Sequence, residues 1–373
     1  MRYVDGLRAI AVLAVVAHHV VKYSHSSAAN LADRILLQGH HGVELFFVIS
    51  GFCLSWPVLA RVQAAGAAPF DVVLYAAKRL VRILPPFYIA LAVFTLAGFE
   101  RVPLHDVVLQ ALFVDKGTHL LNPSFWSLPV EFRWYLLFPL VLLLWVRSAR
   151  AFLCLLVLLF VLEQTRAMST DLAALPAFML GIVAAGVHVR GWKAWPALPL
   201  FAVAALFAFA QTSSSDSGQD TSALWETAMF LLVVAAGAVP FLRSLLSAAP
   251  IVLAGAASYS IYLFHDLGIG YAEQWHWGRW GAGAAGVGIG LVMWMLAERP
   301  LLQPRARAVV IAPLARVLRR CFTAAGVSQS MQLRADGASK GSEPRLPLRD
   351  VPAMPWLAES ASLLAVDHPG ERR

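Results

Sequence analysis

The chain has 373 residues, of which 59% are hydrophobic and only 14% charged, against about 25% charged in a soluble domain. With a mean hydropathy of +0.66, this excludes an ordinary soluble globular protein. A net charge of +8 raises nucleic acid as a partner, but the basic residues lie in short loops and a tail and form no aromatic-interleaved patch, so none is expected. Cys53, Cys154 and Cys321 are far apart, two of them in apolar runs, and imply neither a disulfide framework nor a metal site.

Apolar runs long enough to cross a bilayer recur along the chain. They predict an all-α, polytopic membrane helix bundle of about ten transmembrane helices, at roughly 5–23, 41–59, 83–99, 128–146, 151–163, 172–188, 194–210, 223–241, 249–271 and 281–297. The first run, Leu7 to Val21, has the character of a signal peptide. It carries Asp5 and Arg8 at its start and His18 and His19 at its end, and it leads into further spans, so it is read as a retained helix. The expected inner loops hold Arg61, Lys78, Arg79, Arg82, Arg147, Arg150, Arg190, Lys193 and Arg243, while the stretch around Gln211–Thr221 holds Asp216 and Asp220 and no basic residue. That asymmetry predicts an N-in, C-in orientation. Between Glu100 and Phe125 there is room for a partial helix on the outer face.

Residues 1–300 are thus expected to form the membrane domain. Residues 301–323, basic with apolar interruptions, are expected to lie along the inner leaflet. The segment 324–373, rich in Pro, Gly, Ser and mixed charge, is expected to be a disordered cytoplasmic tail. The chain shows no internal repeat, which weakens a transporter reading.

Charged residues inside spans cost roughly 2.5–3.5 kcal/mol each on insertion scales, so the exceptions carry information. Arg8 and His19 are eleven residues apart, about three helical turns plus 20°, which places them on one face about 16 Å apart along the axis. The pair could equally be a snorkelling arginine and a polar helix end. Glu44 enters the second span from the outer side, and Ser50 with Gly51 forms a small-residue patch suited to close helix packing. Arg79 and Arg82 are three apart and share a helix face. Paired guanidinium forks suit phosphate, although basic residues beside a membrane are more often topology signals. Glu131, flanked by aromatics, and His265 both read as lying toward the outer surface. A cationic inner mouth formed by Arg8, Arg79 and Arg82 suits a polyphosphorylated cytoplasmic donor. Outer acid–base groups at His19, Glu44, Glu131 and His265 suit a hydroxyl acceptor.

The motifs, taken together, resemble the acyltransferase-3 family of bacterial membrane O-acyltransferases. They are Asp5-Gly6-Leu7-Arg8-Ala9-Ile10-Ala11 with His19, Gly42 through Phe52 with Glu44 inside it, and Arg79-x-x-Arg82-Ile83-x-Pro85. Trp126-Ser127-Leu128-x-x-Glu131, Ser258 through His265, and Glu298-Arg299-Pro300 complete the set, which spans about four-fifths of the chain. The resemblance implies a bacterial inner-membrane enzyme with ten core helices. Its expected donor is acyl-CoA, most often acetyl-CoA, and no cofactor is permanently bound. Its acceptor is a hydroxyl of a surface glycan, a lipid-linked sugar or a glycosylated small molecule; membrane lipid and a second copy of the chain are further expected partners. It assigns His19 as catalytic and Arg8, Arg79 and Arg82 to the donor or the integrity of the site. Glu44 or Glu131 is expected to orient the imidazole, with Trp126, Ser127, Tyr259 and His265 as acceptor-side or structural residues. Direct transfer and an acyl-histidine intermediate both stay open. Phe132-Arg133-Trp134 departs from the family's more polar stretch after Glu131, which predicts unusual acceptor contacts. The rival class is a glycoconjugate transporter or flippase lined by the same polar groups; a membrane scaffold needs no such groups and is the weakest reading.

Overall fold

The computed structural model describes residues 1–24, 30–98, 102–114, 120–165, 169–192, 194–214, 222–326 and 328–334. The elements in chain order begin with α1 (Arg2–Tyr23), α2 (Leu31–Leu37), α3 (Gly42–Ala65), β1 (Ala67–Asp71), α4 (Val72–Ala97), α5 (Leu104–Ala111) and α6 (Ser127–Arg147). There follow α7 (Ala149–Glu163), α8 (Thr170–Ala173), α9 (Leu175–Val189), α10 (Ala197–Ser214), α11 (Ser222–Ala238) and α12 (Pro240–Leu246). The chain continues through α13 (Ala249–Ala256), α14 (Ser258–Gln274), α15 (Gly278–Met293), α16 (Arg299–Leu302), α17 (Pro304–Ala324) and β2 (Ser330–Arg334). Between α15 and α16 the chain forms a wide π turn over Trp294–Glu298.

The protein is an all-α membrane bundle. By length and composition six helical stretches among the described residues can cross a membrane, or seven if the bent pair α11–α12 is one span. The ten expected segments all coincide with helices, but several miss that measure. At about 1.5 Å per residue α7 reaches only about 22 Å, short of a hydrocarbon core of about 30 Å. The expected eighth span breaks at Val239, which is extended (ψ 112°) ahead of Pro240, as the ring of a proline requires of the residue before it. The resulting bend is 97°. The expected ninth span is interrupted at Ala257, between α13 and α14.

Two larger corrections concern α4 and the tail. α4 begins at Val72, well before the expected start at residue 83, because the Asp71 side chain accepts from the Leu74 amide at 2.8 Å and caps it. The stretch carrying Lys78, Arg79 and Arg82 is therefore helix and not loop. In the segment expected to be without structure, β2 pairs antiparallel with β1, Ala67 opposite Arg334 and Asp71 opposite Ser330. Helix α17 packs on α4 through Val73, Ala77, Val81, Ile311 and Ala315. Lys193, Asp216, Asp220 and the tail from 335 onward lie outside the described residues.

α1 is the central helix and packs against α3, α13 and α14. α3 and α9 meet at Gly51 and Gly181 with their backbones touching. A Cβ on Gly181 would overlap the Val48 carbonyl, and one on Gly51 the Phe178 carbonyl. Gly51 is thus a packing residue, while its neighbour Ser50 faces the other way, into a cavity. Gly181→Val is expected to lower stability by about 1–3 kcal/mol, read as the unfolding midpoint in detergent. Gly288→Ala, where a Cβ meets nothing within 4 Å, is the control expected to leave it unchanged.

Candidate functional site

The polar groups of the bundle fall into two linked clusters. The first lines a cavity between α1, α3, α4, α6 and α14, bounded by Arg8, Phe46, Ser50, Cys53, Arg79, Arg82, Ser127, Glu131, Tyr135, Tyr259 and Tyr262 among others. It holds about 750 Å³ of atom-free space, mouth included. Arg8 enters from α1, with Nη1 3.2 Å from Asp5 Oδ1 and Nη2 3.7 Å from Cys53 Sγ. Arg79 and Arg82 enter from one face of α4. Among the described residues neither stands in an ion pair. The guanidinium of Arg79 lies 5.8 Å from the centre of the Tyr135 ring, and its buried Nε has no hydrogen-bond partner.

Glu131 is in this cluster, not at the outer surface. Its Oε1 accepts from Ser50 Oγ at 2.8 Å and from the Tyr135 hydroxyl. The expected division, cations inward and acids outward, fails at this residue. An aromatic-flanked glutamate at a helix start reads as interfacial, but Ser124 and Phe125 of the 3-10 turn Pro123–Trp126 and the first turn of α6 are buried in the bundle. Ser127 and Tyr259 line the cavity as well, Tyr259 donating to the Ile83 carbonyl at 3.0 Å. Trp126 does not line it and is 37% exposed.

The second cluster is His19, His265 and Asp266, buried between α1 and α14. His19 Nδ1 lies 3.0 Å from the Val15 carbonyl, and His265 Nδ1 lies 2.9 Å from that of Tyr262. A carbonyl only accepts, so each neutral ring carries its proton on Nδ1 and keeps a lone pair on Nε2. His265 Nε2 is 3.2 Å from His19 Nδ1, and His19 Nε2 faces Asp266 Oδ1 at 4.0 Å. Asp266 Oδ2 accepts from Ser124 Oγ at 2.7 Å, whereas Oδ1 is buried without a partner.

Neither expected glutamate is the partner of His19; among the described residues no hydrogen bond joins them. Glu44 instead bonds His41 Nδ1 at 2.9 Å, one turn back. Asp266 is the member of this cluster that sequence reasoning passed over, although it directly follows His265. The ligating atoms of His19, His265 and Asp266 lie within 4.8 Å of one another. Among the described residues these three have the spacing to hold a metal ion, which the expectation of no metal site did not weigh.

The clusters communicate through Tyr262 and Ser124. Tyr262 lines the cavity, its hydroxyl is 2.6 Å from Ser127 Oγ and donates to the Ser124 carbonyl at 2.8 Å, and its ring lies 6.1 Å from that of His265. Ser124 in turn holds Asp266. The unusual Arg133 stays outside this network: it bonds Asp171 Oδ1 at 2.6 Å and the Phe113 carbonyl at 2.9 Å, and Trp134 bonds the Asp171 carbonyl at 2.8 Å. That departure fastens α6 to α8 and to the segment after α5, and does not shape the cavity.

With Cys154 and Cys321, both exposed, replaced by serine, only Cys53 remains for a maleimide to label. Acetyl-CoA is expected to protect it at least severalfold, because Cys53 lines the cavity beside Arg8. Equal labelling with and without acetyl-CoA would place the donor elsewhere.

Residues 1–299 match the acyltransferase domain that defines the acyltransferase-3 family. The acyltransferase MdmB of Streptomyces mycarofaciens is 26% identical over 366 residues, covering 84% of this chain and 92% of that protein. A Staphylococcus aureus (strain COL) protein named provisionally as an O-acetyltransferase is 30% identical over 165 residues, 38% of this chain and 25% of its own. The peptidoglycan O-acetyltransferase OatA of Listeria monocytogenes is 25% identical over 173 residues, 40% of this chain and 26% of its own. The chain therefore matches about a quarter of the staphylococcal and listerial proteins and nearly all of MdmB. No solved structure matches.

Proposed function

The chain belongs to the acyltransferase-3 family, and on that footing we propose that it is a membrane O-acyltransferase of the bacterial inner membrane. It moves an acyl group, acetyl first among the candidates, from cytoplasmic acyl-CoA to a hydroxyl of a surface glycan, a lipid-linked sugar or a glycosylated small molecule. The names of the relatives support transfer to a hydroxyl. The loop charges support ten spans with both ends inside, the shorter helices completing their crossings within the bundle. Residues 1–300 are the catalytic domain, and α17 follows it at the inner face.

The observation that carries the mechanism is the joining, by Tyr262 and Ser124, of an arginine-lined cavity to a histidine facing a buried, half-satisfied carboxylate. Arg79 and Arg82, free of ion pairs, hold the phosphates of the donor, and Arg8 adds a third guanidinium. Neutral His19 removes the proton of the acceptor hydroxyl through Nε2 as that oxygen attacks the thioester carbonyl. The carbon–oxygen ester bond forms, the carbon–sulfur bond breaks, and the departing CoA thiolate takes the proton back from the imidazolium. Asp266 Oδ1, 4.0 Å from His19 Nε2, stabilises the imidazolium in between, the part a carboxylate plays in other histidine-based sites. His265 holds the ring in place. Tyr262 and Ser127 lie on the route from cavity to His19, so the thioester end passes them to react.

The test is CoA release from protein in lipid nanodiscs supplied with acetyl-CoA and an extract of the host's surface glycans. Release that requires the extract is expected, with a loss of at least about 10²-fold in His19→Ala. Arg79→Gln and Arg82→Gln are each expected to raise the KM for acetyl-CoA about ten-fold, the worth of a hydrogen bond to a charged group. Full release in a normally inserted His19→Ala protein would sink the mechanism. No release together with no binding of acetyl-CoA would favour the transporter reading.

A further inference from the structure

The strongest structure outside the two clusters is the C-terminal segment. α4 is held from two sides. One face, Val73, Ala77 and Val81 at helical spacing, is buried against Ile311 and Ala315 of α17, with Leu74, Leu314, Leu318 and Phe322 closing the seam. At about 100° per residue, Arg79 and Arg82 fall on the opposite face, which lines the cavity. The helix is a plate between the C-terminal segment and the donor-side arginines.

Asp71 joins the parts. Oδ1 caps α4 through the Leu74 amide at 2.8 Å, and Oδ2 takes Arg319 Nη2 at 2.5 Å. Arg319 Nη1 donates to Gln329 Oε1 at 3.2 Å, and Gln329 Nε2 returns to the Arg319 carbonyl at 3.2 Å. The Gln329 carbonyl accepts from the Val72 amide at 3.1 Å, at the end of the β1–β2 ladder. The ladder also reaches toward the cavity. Leu333 of β2 is fully buried, Phe70 of β1 lies 5.4 Å from the Tyr75 ring, and the Tyr75 hydroxyl donates at 2.9 Å to the carbonyl of Tyr135, a cavity residue.

We infer that α17 and residues 328–334 form a clasp that sets how α4 presents Arg79 and Arg82 to the polyphosphate of the donor, and that Asp71 is its positioning residue. The inference rests on the reading that those arginines hold the donor. The clasp is an internal partner for α4. Without it the apolar face of residues 73–81 is bare, and the first turns of the helix lose the ion pair that fastens their cap. Donor affinity then depends on side chains that never touch the donor.

The test uses the full chain in nanodiscs and reads two quantities, the Kd for acetyl-CoA and amide hydrogen exchange over residues 72–84. Asp71→Asn keeps a good N-cap and removes the charge, and Arg319→Gln removes the other half of the pair. Each is expected to weaken acetyl-CoA binding about two- to five-fold, the range of a partly exposed ion pair, and to speed exchange over 72–84. Arg319→Lys, which keeps the charge, is expected to restore both. Ile311→Ala, acting through the apolar seam alone, is expected to move both in the same direction. Weakened binding in Arg79→Gln but not in Asp71→Asn or Arg319→Gln would overturn the inference and leave the donor site standing. Unchanged binding in all of them would overturn the donor site, and the inference with it.

Discussion

A charged side chain inside a bilayer has to find a partner within the protein, and the architecture of this bundle follows from how each charge meets that demand. Arg8 turns to Asp5 and the Cys53 sulfur, Glu131 to two hydroxyls, and Glu298, presented by the π turn, accepts from Ser260 Oγ at 2.6 Å. Hydroxyls do much of the pairing, so the carboxylates stay in place without opposite charges to neutralise them. Among the groups left short of partners are two suited to substrates, the Nε of Arg79 on α4 and Oδ1 of Asp266. A site that is fully satisfied at rest has nothing to offer an anionic donor or a developing imidazolium.

Serine and tyrosine hydroxyls also connect the two clusters. Ser127, Tyr262 and Ser124 form an unbroken run from the cavity wall to Asp266. The run fixes the side chain that faces His19, and its first members border the space where the donor is proposed to lie. The spacing of Arg8 and His19 on one helix sets the span of the site, and the network of α14 and the turn before α6 fills the distance between.

Much of this was legible in the sequence. Long apolar runs located the helices, and the motif residues Arg8, Arg79, Arg82, Ser127, Glu131 and Tyr259 do share one cavity. What stayed hidden depended on contacts between distant segments. Glu131 reads as interfacial until the burial of its turn is known. Residues 72–82 read as a loop because three basic residues interrupt the apolar pattern, and only Asp71 and the seam with α17 explain the helix. β2 sits in a polar stretch with no strand pattern of its own; its partner, about 260 residues earlier, makes it a strand. The conspicuous glutamates of the spans, Glu44 and Glu131, read as the carboxylate partners of His19. The carboxylate that lies against His19 is instead the aspartate beside His265, since α14 places both side chains against α1.

The account turns on His19 and Asp266 acting as one unit, and a double-mutant comparison of kcat tests this most directly. Turnover would be measured for His19→Ala, Asp266→Asn and the two combined, each checked for normal insertion and acetyl-CoA binding. The account predicts that Asp266→Asn alone lowers kcat by at least about 10²-fold and that adding it to His19→Ala costs little more, as for residues that work together. A near-normal kcat in Asp266→Asn, or losses that simply multiply in the double variant, would contradict it.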